Sequence, residues 1–266
     1  MKLGVIGCGK MGASLVRGIV AKGVCDPREL SLADAYAPAA ETLAEELEGA
    51  VVCEGVLDCA EGSDVVLVCV KPGDVRAVLE SLAEAESDPL VVSIAAGVTL
   101  ASLGAWAGAS RRIARVMPNT PALVGKGASA YVLGGKAAAE DARTVEALLG
   151  AVGTVVAVKE GLMDAVTGLS GSGPAYVYTM IEALADGGVQ AGLPREIALA
   201  LAAQTVAGGA AMVQATGLHP AVLRDQVTSP GGTTIAGVAA LEAHGFRSAL
   251  IGAVAAAAAR SKELGD

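Results

Sequence analysis

Lys2-Leu3-Gly4-Val5-Ile6-Gly7-Cys8-Gly9-Lys10-Met11-Gly12 decides the fold of this 266-residue chain. An apolar run begins at residue 2, breaks at a GxGxxG turn and gives way to a helical pattern over residues 13–21. This order of strand, glycine turn and helix opens a dinucleotide-binding unit. The three glycines serve different ends: Gly7 permits the tight turn, Gly9 lets a pyrophosphate approach the main chain, and Gly12 lets helix and strand pack closely. Cys8, Lys10 and Met11 complete the predicted cofactor loop. In a chain with 35 glycines the motif alone decides little, so the flanking strand and helix carry the reading.

Further along, short β-branched runs alternate with helical patterns up to about residue 160. Residues 2–6, 30–33, 51–53, 64–70 and 90–94 read as strands, and 113–117, 128–133 and 154–158 extend the sheet. Strands separated by helices imply parallel βαβ units. Val65 to Val70 is apolar throughout, as expected of a central strand covered on both faces. Asp34 ends the second strand 22 residues beyond Gly12, where a carboxylate hydrogen-bonds adenosine ribose hydroxyls and repels a 2′-phosphate. That rule favours NADH over NADPH, the plainer alternative being an exposed loop aspartate. Val70-Lys71-Pro72 falls at the carboxyl ends of the strands, where such folds bind ligands. Lys71 there either touches the cofactor or caps a strand in water. Ala95-Ala96-Gly97 makes a small-residue opening suited to a flat ring, and Asn119 reads as a turn former first and a pocket residue second.

After Gly161 the strand signal stops. Helical patterns cover roughly 173–191, 194–216, 234–244 and 247–264, which places a boundary near Glu160. The domains expected are a dinucleotide-binding α/β domain over 1–160 and an all-α domain over 161–266. Residues 198–203 and 250–259 leave little polar face, so these helices are expected to pack against another subunit.

Composition excludes several classes. Hydrophobic residues make up 53% and charged residues 18%, which argues against disorder. A net charge of −9, no dense Lys/Arg cluster and 2% aromatics argue against a nucleic-acid partner. Five cysteines, odd in number and without a CxxC pair, read as reduced cytosolic thiols, and with two histidines far off in sequence no metal site is expected. Lys10 and Arg17 interrupt any signal-peptide core. Residues 197–216 lack charge but are rich in Ala and Gly with Gln204 inside, which suits a buried helix of a soluble, cytoplasmic protein better than a membrane span.

The polar segments of the second half are few. Val227-Thr228-Ser229-Pro230-Gly231-Gly232-Thr233-Thr234-Ile235 combines hydroxyls and bare backbone, with Thr233 or Thr234 where an N-cap would start the next helix. It reads as a turn between helices or, beside a cofactor fold, as an anion cradle without a cation. Gly231, Gly232 and Thr233 suit a carboxylate through backbone N–H groups, with Ser229 adding a hydroxyl. The other segment, Thr167-Gly168-Leu169-Ser170-Gly171-Ser172-Gly173-Pro174-Ala175-Tyr176, is a Gly/Ser turn running into a helix.

These two segments, with residues 5–12, Val70-Lys71-Pro72, Ser93 to Val98, Arg115-Val116-Met117-Pro118-Asn119-Thr120-Pro121 and Ala183 to Val189, resemble pyrroline-5-carboxylate reductases over essentially the whole chain. The resemblance implies reduction of Δ1-pyrroline-5-carboxylate to L-proline by NADPH or NADH, the last step of proline synthesis. It also implies a Rossmann-like N-terminal domain and an all-α C-terminal dimerisation domain forming an interlocked homodimer, often assembled into a higher homo-oligomer. By resemblance, Thr234 hydrogen-bonds the ring nitrogen and relays its proton. Many relatives carry other residues around Asp34 and prefer NADPH, so the aspartate puts that habit in doubt here. The chemistry agrees with the motif set, since a protonated cyclic imine is already electrophilic and needs chiefly to be held against the nicotinamide. A β-hydroxyacid dehydrogenase would need a catalytic Lys on the helix that begins near Pro174, which has none. A non-catalytic nicotinamide sensor would need a recognition surface that the acidic remainder does not offer.

Overall fold

A computed structural model describes residues 1–265. Six short strands pair in parallel: β1 (Leu3–Ile6), β2 (Leu30–Ala33), β3 (Val51–Val52), β4 (Val65–Val68), β5 (Leu90–Ser93) and β6 (Arg112–Met117). Their order is β3-β2-β1-β4-β5-β6, so the direction of winding reverses between β1 and β4. Alternation along each strand feeds two cores. Leu3, Val5, Val65, Leu67, Leu90 and Val92 face one side, while Ile6, Val66, Val68 and Val91 face the other. The first core is covered by α1 (Lys10–Ala21), α2 (Ala37–Glu46) and α6 (Ala139–Gly150), the second by α3 (Val56–Ala60), α4 (Val75–Ala83) and α5 (Leu100–Ala107). β4 is buried at all four positions, as its unbroken apolar run requires.

The sheet is not wholly parallel. β7 (Gly127–Gly135) runs antiparallel to β6, and β8 (Gly153–Ala157) lies parallel to β7. The link from β6 to β7 holds only a 3-10 turn, Thr120–Val124, and is too short for the crossover helix that a parallel step requires.

Compact units divide the chain at 172/173, and the C-terminal part of the last helix, from Ala256, belongs to the first unit. Residues 161–172 therefore pack with the sheet unit, whereas the strand signal alone put the boundary at 160. Two contacts show why. Asn119 Nδ2 donates to the Ser170 carbonyl at 2.9 Å, and Ser261 Oγ donates to Asp164 Oδ1 at 2.7 Å. Between α7 (Met163–Val166) and residue 172, the Gly/Ser segment is not a turn but a π-helical stretch, Thr167–Gly171, with Ser172 N–H bonded to the Thr167 carbonyl at 2.8 Å.

The second unit is helical: α8 (Gly173–Gln190), α9 (Arg195–Thr216), α10 (Pro220–Gln226), α11 (Thr233–Ala243) and the start of α12 (Phe246–Gly265). α10 is a short addition to the expected set, begun by Pro220 and capped by His219, whose Nδ1 accepts the Ala221 N–H at 3.2 Å. α8 and α9 meet through small residues, with Ala185, Ala198 and Ala202 buried between them.

α9 is long and apolar enough, by length and composition, to cross a membrane. Within one chain only Ala198 and Ala202 along it are buried, so the burial expected of it is left to a second subunit. Ile197, Leu199, Leu201 and Met212 on α9 are exposed, as are Tyr178 on α8 at 60% and Ile251 on α12 at 71%. Large apolar side chains exposed on three helices point to a further surface that covers them, as a second subunit would. Size-exclusion chromatography with light scattering at micromolar concentration is expected to give at least twice the monomer mass; a stable monomer would contradict that.

Candidate cofactor cleft and anion cradle

The glycine loop has the three geometries its sequence demands. Gly7 has φ +100°, and a Cβ there would lie 2.7 Å from the Cys69 carbonyl. Its N–H bonds to the Ala33 carbonyl at 2.8 Å, which ties the end of β1 to the end of β2. A Cβ at Gly12 would stand 2.0 Å from the Gly7 oxygen, so helix and turn touch backbone to backbone. At Gly9 a Cβ would meet nothing within 4 Å. Gly9 is the N-cap of α1 and leaves its first turn without a side-chain cap. Open space, bare backbone and free helix N–H groups at one point are what a pyrophosphate requires.

Asp34 supports this loop. Its Oδ2 accepts the Cys8 N–H at 2.6 Å and its Oδ1 the Tyr36 N–H at 2.8 Å. Beside it opens a cavity of about 570 Å³ at the carboxyl ends of β1 to β4, the place where winding reverses and such folds bind ligands. Gly7, Gly9, Asp34, Val70 and Lys71 line it, so five of the expected cofactor residues come together. The rest of the wall is Ile6, Ala33, Ala35, Cys53 and Cys69 at the strand ends, Glu54, Gly55 and Val56 after β3, Asp74 before α4, and Ala77 and Val78 on α4. None of these eleven was among the expected cofactor residues; those after β3 escaped because β3 is only two residues long and no motif marks the turn that follows.

The remaining expected cofactor residues do not line that cavity. Cys8 is buried behind the loop, Lys10 is exposed at the start of α1, Met11 packs on the core, and Pro72 opens a 3-10 turn. Ala95 is buried in the second core, Ala96 is exposed, and Gly97, with φ +78°, lies against Leu264 and Gly265 at the end of α12. Asn119 is 8% exposed, and its carboxamide is engaged by main chain: Oδ1 accepts the Ala128 N–H at 2.8 Å while Nδ2 reaches Ser170. Its visible role is to pin the β6–β7 turn to the π-helical stretch. Burial pushes the thiols of Cys8 and Cys69 up to about 12 and that of Cys25 up to about 11.

In the second unit, Ser229-Pro230-Gly231-Gly232 forms a β-turn, with Gly231 at φ +66° and the Gly232 N–H bonded to the Ser229 carbonyl at 3.1 Å. The N-cap of α11 is Gly232, not Thr233 or Thr234, which occupy the first helical positions. A Cβ at Gly232 would lie 2.3 Å from Ser229 Oγ, so any side chain there would turn the Ser229 hydroxyl out of its place. The Gly232 N–H is thus spent within the turn, while the first-turn N–H groups of α11 have no intrahelical partner and no hydroxyl cap. Thr234 is half-buried; Ser229, Gly231 and Thr233 are exposed.

A glycine-loop cleft at the reversal of a parallel sheet, followed by a helical unit with an uncapped helix start behind a glycine turn, is the plan of a dinucleotide-dependent oxidoreductase. Residues 2–97 match the family described as NADP oxidoreductase, coenzyme F420-dependent, and residues 160–264 that described as pyrroline-5-carboxylate reductase dimerisation. The chain is 52% identical to a pyrroline-5-carboxylate reductase of Arabidopsis thaliana over 264 residues, covering 99% of this chain and 95% of the relative. It is similar to the solved pyrroline-5-carboxylate reductase of Coxiella burnetii (35% identity, TM-score 0.95, 100% and 98% of the two chains). The solved Plasmodium falciparum pyrroline carboxylate reductase with NADP bound is 33% identical, with TM-score 0.88 and the same coverage. The chain belongs to the pyrroline-5-carboxylate reductase family, and it is an oxidoreductase of that family.

Two glycine substitutions separate binding from folding. Gly9→Ala is expected to cost about 1 kcal/mol or less in stability yet weaken dinucleotide binding, because its methyl enters the open side of the loop. Gly12→Ala is expected to cost about 1–3 kcal/mol or more, because its methyl collides with the Gly7 carbonyl. Thermal unfolding and cofactor fluorescence titration read the two effects separately.

Proposed function

We propose that this protein reduces Δ1-pyrroline-5-carboxylate to L-proline with NAD(P)H, the last step of proline biosynthesis. The observation that carries the reading is the uncapped N-terminus of α11 behind the Ser229–Gly232 turn, which offers a small carboxylate N–H groups and hydroxyls without a cation. The iminium of the same substrate molecule supplies the compensating positive charge. The first unit holds the dinucleotide through Gly7 to Gly12, Asp34, Val70 and Lys71, and the open face of Gly9 fits its pyrophosphate. When bound, the reduced nicotinamide supplies the hydride.

The protein's own work is then to bind and orient. The Thr233 N–H and its first-turn neighbours hold the carboxylate, the Ser229 hydroxyl adds a donor, and Gly231 and Gly232 give the turn its shape. Thr234 hydrogen-bonds the ring nitrogen and holds its proton during transfer. No strong acid is needed, because the protonated imine is electrophilic before the reaction begins. Residues 161–266 serve substrate binding and dimerisation, and the exposed apolar helices support assembly of dimers into a higher homo-oligomer. Five free cysteines support work in a reducing compartment, the cytoplasm.

Incubation with racemic pyrroline-5-carboxylate and each reduced dinucleotide in turn is expected to oxidise cofactor and yield proline. Consumption of neither dinucleotide would overturn the proposal. Thr234→Ala is expected to lower kcat by roughly ten- to a thousandfold, the range for losing one positioned hydrogen-bonding group. Unchanged kcat would remove Thr234 from the mechanism.

A further inference from the structure

We infer that the cavity beside the glycine loop selects a dinucleotide with a free 2′-hydroxyl, and that Glu54 shares this selection with Asp34. The inference rests on the dinucleotide reading above. Three carboxylates from three separate turns line the cavity: Asp34 after β2, Glu54 after β3 and Asp74 before α4. Among the described lining residues Lys71 is the one cation, and no arginine is present. A 2′-phosphate carries close to two negative charges at neutral pH and is held by guanidinium forks. This wall offers it repulsion instead.

Strand register makes Glu54 a neighbour of Asp34. Leu32 pairs with Val52 in the parallel β2–β3 ladder, and the Cys53 N–H continues it to the Leu32 carbonyl at 2.8 Å. Two residues beyond that pair stand Asp34 and Glu54, each just past the end of its strand and both lining the cavity. Asp34 is held there by the Cys8 and Tyr36 N–H groups, and each of its oxygens keeps acceptor capacity for a ribose hydroxyl. It is therefore a strut of the loop as well as a charge, and replacing it disturbs both. The Glu54 side chain is exposed and has no such duty among the described residues, so Glu54 is where charge can be tested alone.

The test is direct binding of NADH and NADPH to the full chain, followed by fluorescence at several salt concentrations. The unaltered protein is expected to bind NADH at least about tenfold more tightly at 0.1 M salt, with the ratio shrinking as salt screens the exposed carboxylates. Glu54→Gln is expected to narrow the ratio by about three- to tenfold through tighter NADPH binding. Asp34→Asn, whose amide oxygen can accept from only one of the two N–H groups, is expected to weaken NADH binding as well. Equal or tighter NADPH binding by the unaltered protein, or a ratio unmoved in Glu54→Gln, overturns the inference alone. Binding of neither dinucleotide overturns it together with the proposed function.

Discussion

The structure depends on one close approach, that of α1 to the turn that launches it. Where a side chain at Gly12 would begin, the Gly7 carbonyl already stands at 2.0 Å. This contact fixes the axis of α1 and hence the direction of its uncapped N-terminus. It also leaves Gly9 facing open space rather than packed chain. Asp34 then locks the arrangement from the neighbouring strand end by accepting the Cys8 N–H. Glycine loop, helix dipole and the Asp34 carboxylate are thus one mechanical unit.

The sheet unit was largely legible because its signals are local. All eight strands lie within a residue or two of where β-branched runs place them, and the three glycines took their assigned geometries. What escaped was set by tertiary context. The antiparallel β7 follows from a link too short for a helix, which strand propensity does not register. The π-helical stretch at Thr167–Gly171 is held by Asn119 from the β6–β7 turn, a contact that joins residues 51 apart in the chain. Glu54 and Asp74 reach the cavity through register and turn geometry, and neither belongs to a motif.

The helical unit shows a different limit. Its four long helices were legible within a residue or two, and their all-round apolar character pointed to subunit packing, in keeping with the dimerisation match; the short α10, seven residues begun by Pro220, was too brief to leave a periodic signal. In the cradle the hydroxyls of Thr233 and Thr234 suggested a capped helix start, but Gly232 occupies the cap position. That substitution of backbone for side chain leaves the first turn of α11 open, with the two threonines inside it.

The buried thiols carry a consequence of another kind. Attack by peroxides and alkylating agents proceeds through the thiolate, and Cys8 and Cys69, with thiols near 12, have almost none at neutral pH. Cys8 sits within the glycine loop and Cys69 lines the cavity, so an oxidised thiol at either place would obstruct the site. Keeping both protonated makes the cleft chemically quiet. Two sulfur atoms can therefore stand at a ligand-sized cavity without offering it a nucleophile.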